Sequence, residues 1–109
     1  MNNSICKLQL ALEYGQEPLW MYDDEGFVID VGIPPEWGEN KELSDALLEL
    51  SDRYDELFIN DPREFRYVGF KDETDRKAFK ELVERVVTLV TTINNNKYPL
   101  EIAIDISSL

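Results

Sequence analysis

The fold class follows from one predicted hairpin, Leu19-Trp20-Met21-Tyr22-Asp23-Asp24-Glu25-Gly26-Phe27-Val28-Ile29-Asp30-Val31. An aromatic, apolar run and a β-branched run flank an acidic connection in which Gly26 can take a positive φ. Upstream, apolar residues alternate with polar ones from Cys6 to Tyr14, which predicts a half-buried strand before the turn at 15–18. We therefore expect an antiparallel meander of three strands. Pro34 and Pro35 end it, because proline has no amide to donate to a neighbouring strand.

Two amphipathic helices are predicted after the meander. In the first, from Glu42 to Phe58, apolar residues recur at steps of three and four, and 60–62 (Asn-Asp-Pro) stop the helix. The segment 65–70 has the character of a short strand. The second helix is capped by the acids at 72–75 and runs to Ile93, although its β-branched last turns leave a strand as an alternative there. A final strand is predicted over 100–106.

This order predicts an α+β fold: an antiparallel meander of three strands, two amphipathic helices on one face, and a final C-terminal strand. The length of 109 residues fits a single domain spanning 1–109, and 43% hydrophobic residues are enough for a core. The lone Cys6 cannot form an internal disulfide, and the N-terminus lacks the features of a signal peptide, so we expect a cytoplasmic protein.

The composition argues against catalysis. The chain contains no His and one Cys, so it cannot build a Ser-His or Cys-His pair, and no nucleotide-binding or nucleophile motif is present. We therefore expect no enzyme activity, no catalytic residues, no cofactor and no metal. The acidic pairs 23–24 and 72–73 fit turn and cap roles better than metal or acid–base roles.

The net charge of −12, from 23 acidic and 11 basic residues, points to a basic partner. Nucleic acid and anionic membranes are polyanions and would be repelled. The first helix concentrates this charge, because its carboxylates are spaced by three and four residues and share one stripe. We name this stripe the acidic row: Glu42, Asp45, Glu49, Asp52 and Glu56. It is interpreted either as a docking surface for a cationic partner or as a solvated face that keeps the protein soluble.

Two tryptophans carry similar alternatives. Trp37 lies in a turn-rich loop beside Glu39, where it can anchor an interface or act as a hydrophobic staple against the first helix; the staple is favoured. Trp20 is expected in the core, because large aromatic residues are mostly buried. The predicted partner-binding surface combines Trp37 and Glu39 with the acidic row.

The stretch 14–26, Tyr-Gly-Gln-Glu-Pro-Leu-Trp-Met-Tyr-Asp-Asp-Glu-Gly, resembles the opening of small acidic proteins encoded beside bacterial polymorphic toxins. The similarity continues through the acidic helix ending at 55–60, the segment 64–70 and the second helix, and covers about Tyr14 to Ile93. The resemblance implies an immunity protein, a cytoplasmic antidote that binds the toxic C-terminal domain of a contact-dependent or secreted effector. It assigns no binding residue and does not name the toxin.

Other classes of binding protein stay open on the sequence alone. An acidic adaptor or regulatory domain, or a mimic of nucleic acid, would carry the same charge. Many toxins of this kind are nucleases, whose basic grooves an acidic inhibitor could fill. The sequence does not decide the oligomeric state.

Overall fold

The computed structural model describes residues 4–108. Six strands and two α-helices follow one another in the order β1 (Lys7–Leu10), β2 (Leu19–Tyr22), β3 (Val28–Val31), α1 (Lys41–Asp55), β4 (Phe58–Asp61), β5 (Glu64–Tyr67), α2 (Glu73–Asn94) and β6 (Leu100–Ile102). Short 3₁₀ turns lie at Pro35–Trp37 and Ile106–Ser108. The predicted α+β class is confirmed.

The main sheet has four strands in the order β3-β2-β1-β6. The meander β1-β2-β3 is antiparallel, as predicted, whereas β6 pairs parallel to β1 with Leu100 opposite Leu8. The meander turn is held by Asp23, whose carboxylate accepts hydrogen bonds from the amides of Glu25 and Phe27, both at 2.9 Å. Asp23 therefore has the predicted turn-shaping role.

Both helices pack on one face of this sheet and form the core with it. The strands contribute Leu8, Leu10, Leu19 and Met21; α1 contributes Leu43, Ala46, Leu47 and Leu50; α2 contributes Phe79, Leu82, Val83, Val86 and Val90. These are the positions that the apolar periodicity of the helices predicts. Burial of this stripe stabilises α2 as a helix through Asn94, so the strand alternative for its last turns is excluded.

Side-chain caps fix where the helices begin. Asn40 accepts a hydrogen bond from the amide of Leu43 at 3.0 Å, and Asp72 accepts one from the amide of Asp75 at 2.8 Å. Each cap satisfies an amide that has no partner within its helix. The helix α2 ends where Asn95 adopts a left-handed conformation with φ 47°.

Several expected boundaries were wrong. The first strand ends at Leu10 rather than Tyr14, and the last at Ile102 rather than Ile106. Phe58 starts β4 instead of ending α1, and 60–62 belong to a second hairpin, β4–β5, with a two-residue turn. In this turn the Asp61 carboxylate accepts from the amides of Arg63 and Glu64 at 2.8 and 3.0 Å.

The prediction for Trp20 was also wrong. Leu19 and Met21 fill the core, and strand alternation therefore places Trp20 and Tyr22 on the opposite face of the sheet. Trp20 is half-buried there, and its indole N–H donates to the carbonyl of Glu17 at 2.6 Å.

Candidate partner-binding surface

The acidic row lies on the outer side of α1, and all five of its residues are exposed. Three of them have cationic partners: Arg85 on α2 reaches Glu42 at 3.4 Å, Lys41 pairs with Asp45 at 2.9 Å, and Arg53 pairs with Glu49 at 3.0 Å. The hydrogen bond to Asp45 raises the pKa of Lys41. These pairs relieve much of the repulsion at the N-terminal and middle parts of the row.

The C-terminal end of the row is different. Among residues 4–108, no side chain pairs with the carboxylates of Asp52 or Glu56. Asp52 lies in the last turn of α1 and Glu56 is its C-cap residue, at the end where the helix dipole is negative. Two carboxylates without an ion-pair partner in that range therefore lie at the helix end that disfavours negative charge, where the basic residue of the last turn, Arg53, is already paired with Glu49.

A shallow open groove of about 530 Å³ runs along this part of the helix. Four carboxylates and Arg53 line it together with Leu48, whose side chain is 59% exposed. The four carboxylates are those of Asp45, Glu49, Asp52 and Glu56. The groove thus combines negative charge with one accessible apolar side chain, which is a composition suited to a cationic protein surface.

Trp37 and Glu39 lie near the other end of α1. The Trp37 ring is half-buried and packs against the core, the arrangement expected of a staple, while Glu39 is exposed beside the helix start. The helix between them and Glu56 is about 22 Å long at 1.5 Å per residue. The predicted residues are therefore spread along the length of α1 and are not gathered in a compact cluster.

A hydrogen-bonded clamp holds the loop that contains Trp37. Glu36 accepts hydrogen bonds from Lys97 and from the hydroxyl of Tyr98, in the turn after α2. The bond from Lys97 and then that from Tyr98 lower the pKa of Glu36. Burial, followed by the hydrogen bond to Glu36, raises the pKa of Tyr98 to about 12.

An aromatic cluster on the β4–β5 hairpin was not predicted. The ring of Tyr14 lies 5.2 Å from that of Phe58 and 4.8 Å from that of Phe65, and Phe58 stacks on Phe65 at 5.3 Å. Phe65 and Tyr67 are still 54% and 55% exposed. Aromatic residues at 65 and 67 are the signal for this cluster in the sequence, but the interpretation of 60–62 as a helix stop does not predict the hairpin that presents them.

Negative charge also surrounds this cluster. Tyr54 contacts Phe58 at a ring distance of 5.2 Å, and its pKa is raised by burial first and then by Tyr67, Glu13 and Asp55. The Asp55 carboxylate is engaged with the chain, because it accepts a hydrogen bond from the amide of Gly15 at 3.0 Å. Asp55 therefore ties the loop before β2 to the end of α1.

The part of the chain that the structure describes lacks two features of other functional classes, a metal-binding cluster and a membrane-spanning helix. Residues 4–108 contain no group of three or more His, Cys, Asp or Glu side chains arranged to hold a metal ion. Within that range no helix is both long and apolar enough to cross a membrane. The thiol of Cys6 is free and exposed.

Comparison with curated proteins gives no match for this chain. A family model described as Serratia CdiI immunity protein-like matches residues 6–100, which includes every strand from β1 to β5, both helices and the acidic row. The match agrees with the resemblance noted in the sequence. The chain therefore belongs to the Serratia CdiI immunity protein-like family, a family of contact-dependent inhibition immunity proteins.

Proposed function

We propose that this protein is a cytoplasmic antidote that binds the toxic C-terminal domain of a contact-dependent or secreted bacterial toxin in a stoichiometric complex. Membership of an immunity protein family supports the role, and the net charge of −12 supports a basic partner. The protein acts by occupying a surface of the toxin, and this mode of action needs no catalytic group, cofactor or metal.

One observation carries the choice of surface. Asp52 and Glu56 have no cationic partner among residues 4–108 and lie at the helix end that disfavours negative charge. A local electrostatic conflict of this kind is often found at a functional site, where a partner supplies the compensation. A lysine or arginine of the toxin would remove both the repulsion and the conflict with the helix dipole.

The docking surface that we propose is the acidic row, with Trp37 and Glu39 at its N-terminal end. Asp52 and Glu56 make the main electrostatic contacts with basic side chains of the partner, and the exposed Leu48 adds an apolar contact inside the groove. The paired acids Glu42, Asp45 and Glu49 add to the field that steers a basic partner during encounter.

Nuclease activity is the toxin chemistry that best fits this surface. A nuclease must present basic side chains to the phosphate backbone of its substrate, and an acidic helix placed on that groove excludes the substrate. Long-range attraction would also speed association, which favours an antidote that must act before damage accumulates.

The proposal is tested by co-expressing the C-terminal domain encoded by the open reading frame directly upstream with variants of this protein, and scoring cell survival. Wild type should rescue growth, and Asp52→Lys/Glu56→Lys should not. The matched control is Glu81→Lys/Glu84→Lys, which makes the same charge change on exposed positions of α2 and should rescue. Failure of wild type would reject the antidote role for that toxin; rescue by Asp52→Lys/Glu56→Lys would reject the surface.

A further inference from the structure

A pocket lies beside the C-terminal end of α1, between the segment that follows β5 and the first turn of α2. Its volume is 380 Å³, near the lower end of the roughly 300–1,000 Å³ of ligand pockets. Arg53 and Glu56 line both this pocket and the groove on α1, so the two concavities are continuous. The pocket has room for one or two side chains of a partner.

The floor of the pocket is apolar. Leu57 and Phe79 are only 4% and 2% exposed, and the half-buried ring of Phe70 lies 5.4 Å from that of Phe79. A side chain seated on this floor would lose most of its contact with water. The open groove on α1 cannot provide such a desolvated position, and the strongest contacts of protein interfaces are usually made in one.

Some charged side chains on the rim of the pocket have no ion-pair partner within residues 4–108. The carboxylates of Glu56 and Asp75 accept no hydrogen bond or ion pair from any side chain in the described range 4–108. Arg53 is already held by Glu49 at 3.0 Å, which neutralises it locally. Lys71, an exposed residue on a flexible stem, is the rim cation without an ion-pair partner in that range.

We propose that this pocket receives one arginine side chain of the toxin domain, a proposal that rests on the antidote function. A guanidinium group can lie flat on the Phe70 ring while its N–H groups pair with Asp75 and Glu56. An aliphatic side chain would desolvate both carboxylates without pairing them, and an acidic one would be repelled. Lysine offers only a point charge and stacks less well on a ring.

The first test compares two carboxylates in the first turn of α2. Asp75→Asn removes the pocket carboxylate, and Glu73→Gln removes one that lies outside the pocket lining. Both changes weaken the favourable interaction with the helix dipole, so the pair separates pocket binding from helix stability. In titrations with the upstream toxin domain, Asp75→Asn should weaken binding by about tenfold or more, and Glu73→Gln by less than about twofold.

The second test determines whether the toxin side chain in the pocket is positively or negatively charged. Lys71→Gln removes a competing cation, and an arginine in the pocket should then bind about twofold to threefold more tightly. Weaker binding by Lys71→Gln would indicate an anionic occupant and overturn the proposal. Unchanged binding by Asp75→Asn, with tight wild-type binding, would overturn the pocket while leaving the antidote function intact. Absence of wild-type binding would overturn both.

Discussion

The side chain of Asn94 forms two hydrogen bonds with the backbone of Tyr98. Its amide nitrogen donates to the Tyr98 carbonyl at 2.9 Å, and its oxygen accepts from the Tyr98 amide at 3.1 Å. Asn94 is only 4% exposed, at the end of α2. One buried side chain therefore directs the chain out of the helix and toward β6, where Leu100 pairs with Leu8 of β1.

Replacing Asn94 should destabilise the protein. In Asn94→Leu the amide and carbonyl of Tyr98 lose their partners, which should lower the free energy of unfolding by about 1–3 kcal/mol in urea titrations. The control is Asn95→Gly, because Asn95 has φ 47° and glycine adopts this conformation freely. It should stay within about 0.5 kcal/mol of wild type. An equally stable Asn94→Leu would show that this turn does not depend on the Asn94 side chain.

Two adjacent leucines on α1 should separate folding from binding. Leu47 is 4% exposed and Leu48 is 59% exposed. Leu47→Ala should cost about 2–5 kcal/mol of stability through lost burial and a cavity. Leu48→Ala should change stability by less than about 0.5 kcal/mol and weaken toxin binding about fivefold, because Leu48 lies in the proposed docking groove. Unchanged binding by Leu48→Ala would argue against that groove.

The Glu36 clamp should make stability fall in acid. Hydrogen bonds from Lys97 and Tyr98 lower the pKa of Glu36 in the folded protein below its ordinary value of 4.5. Its contribution is therefore present above pH 4.5 and is lost as the pH falls through the lowered pKa. The stability difference between wild type and Glu36→Gln, measured by denaturant titration, should shrink as the pH is lowered from neutral to below 4.5, the ordinary pKa of the group. A pH-independent difference would contradict this role of the clamp.

The proposed docking carboxylates should lower the free energy of unfolding of the protein when no toxin is bound. Asp52→Lys/Glu56→Lys places positive charge at the negative end of the helix dipole and turns the repulsion between Glu49 and Asp52 into an attraction, while positions 52 and 56 stay a like-charged pair. We expect a gain of a few tenths to about 1 kcal/mol in the free energy of unfolding, although the same variant should fail to protect cells. A clear loss of stability would mean that these carboxylates support the fold rather than a partner.

Periodicity in the sequence was enough to predict the parts of the fold that have a buried stripe. Residues such as Leu43, Leu50, Val83 and Val90 recur at helical spacing because they all face one sheet. The same spacing predicted that Glu49 and Asp52 share the outer side of α1. One face of the helix contacts the core and the opposite face contacts solvent, so apolar and acidic residues recur separately along the sequence.

What the sequence could not provide were contacts between distant segments. Arg85 on α2 pairs with Glu42 on α1, and β6 joins β1 in parallel after the long crossover through α2. The spacing of residues within one segment carries no information about either of these two contacts. The pocket between Glu56 and Asp75 has the same origin, because it exists only where α1, the end of the second hairpin and α2 meet.

The most direct test of the account is a titration of the purified protein with the upstream toxin domain at two salt concentrations, with Asp52→Lys/Glu56→Lys and Glu81→Lys/Glu84→Lys alongside. We predict tight one-to-one binding by wild type that weakens at high salt, since the attraction is between exposed charges. Asp52→Lys/Glu56→Lys should bind much more weakly and lose most of the salt dependence, while the α2 control should stay close to wild type. Equal affinity and equal salt dependence for the two reversed variants would contradict docking at the C-terminal end of the acidic row.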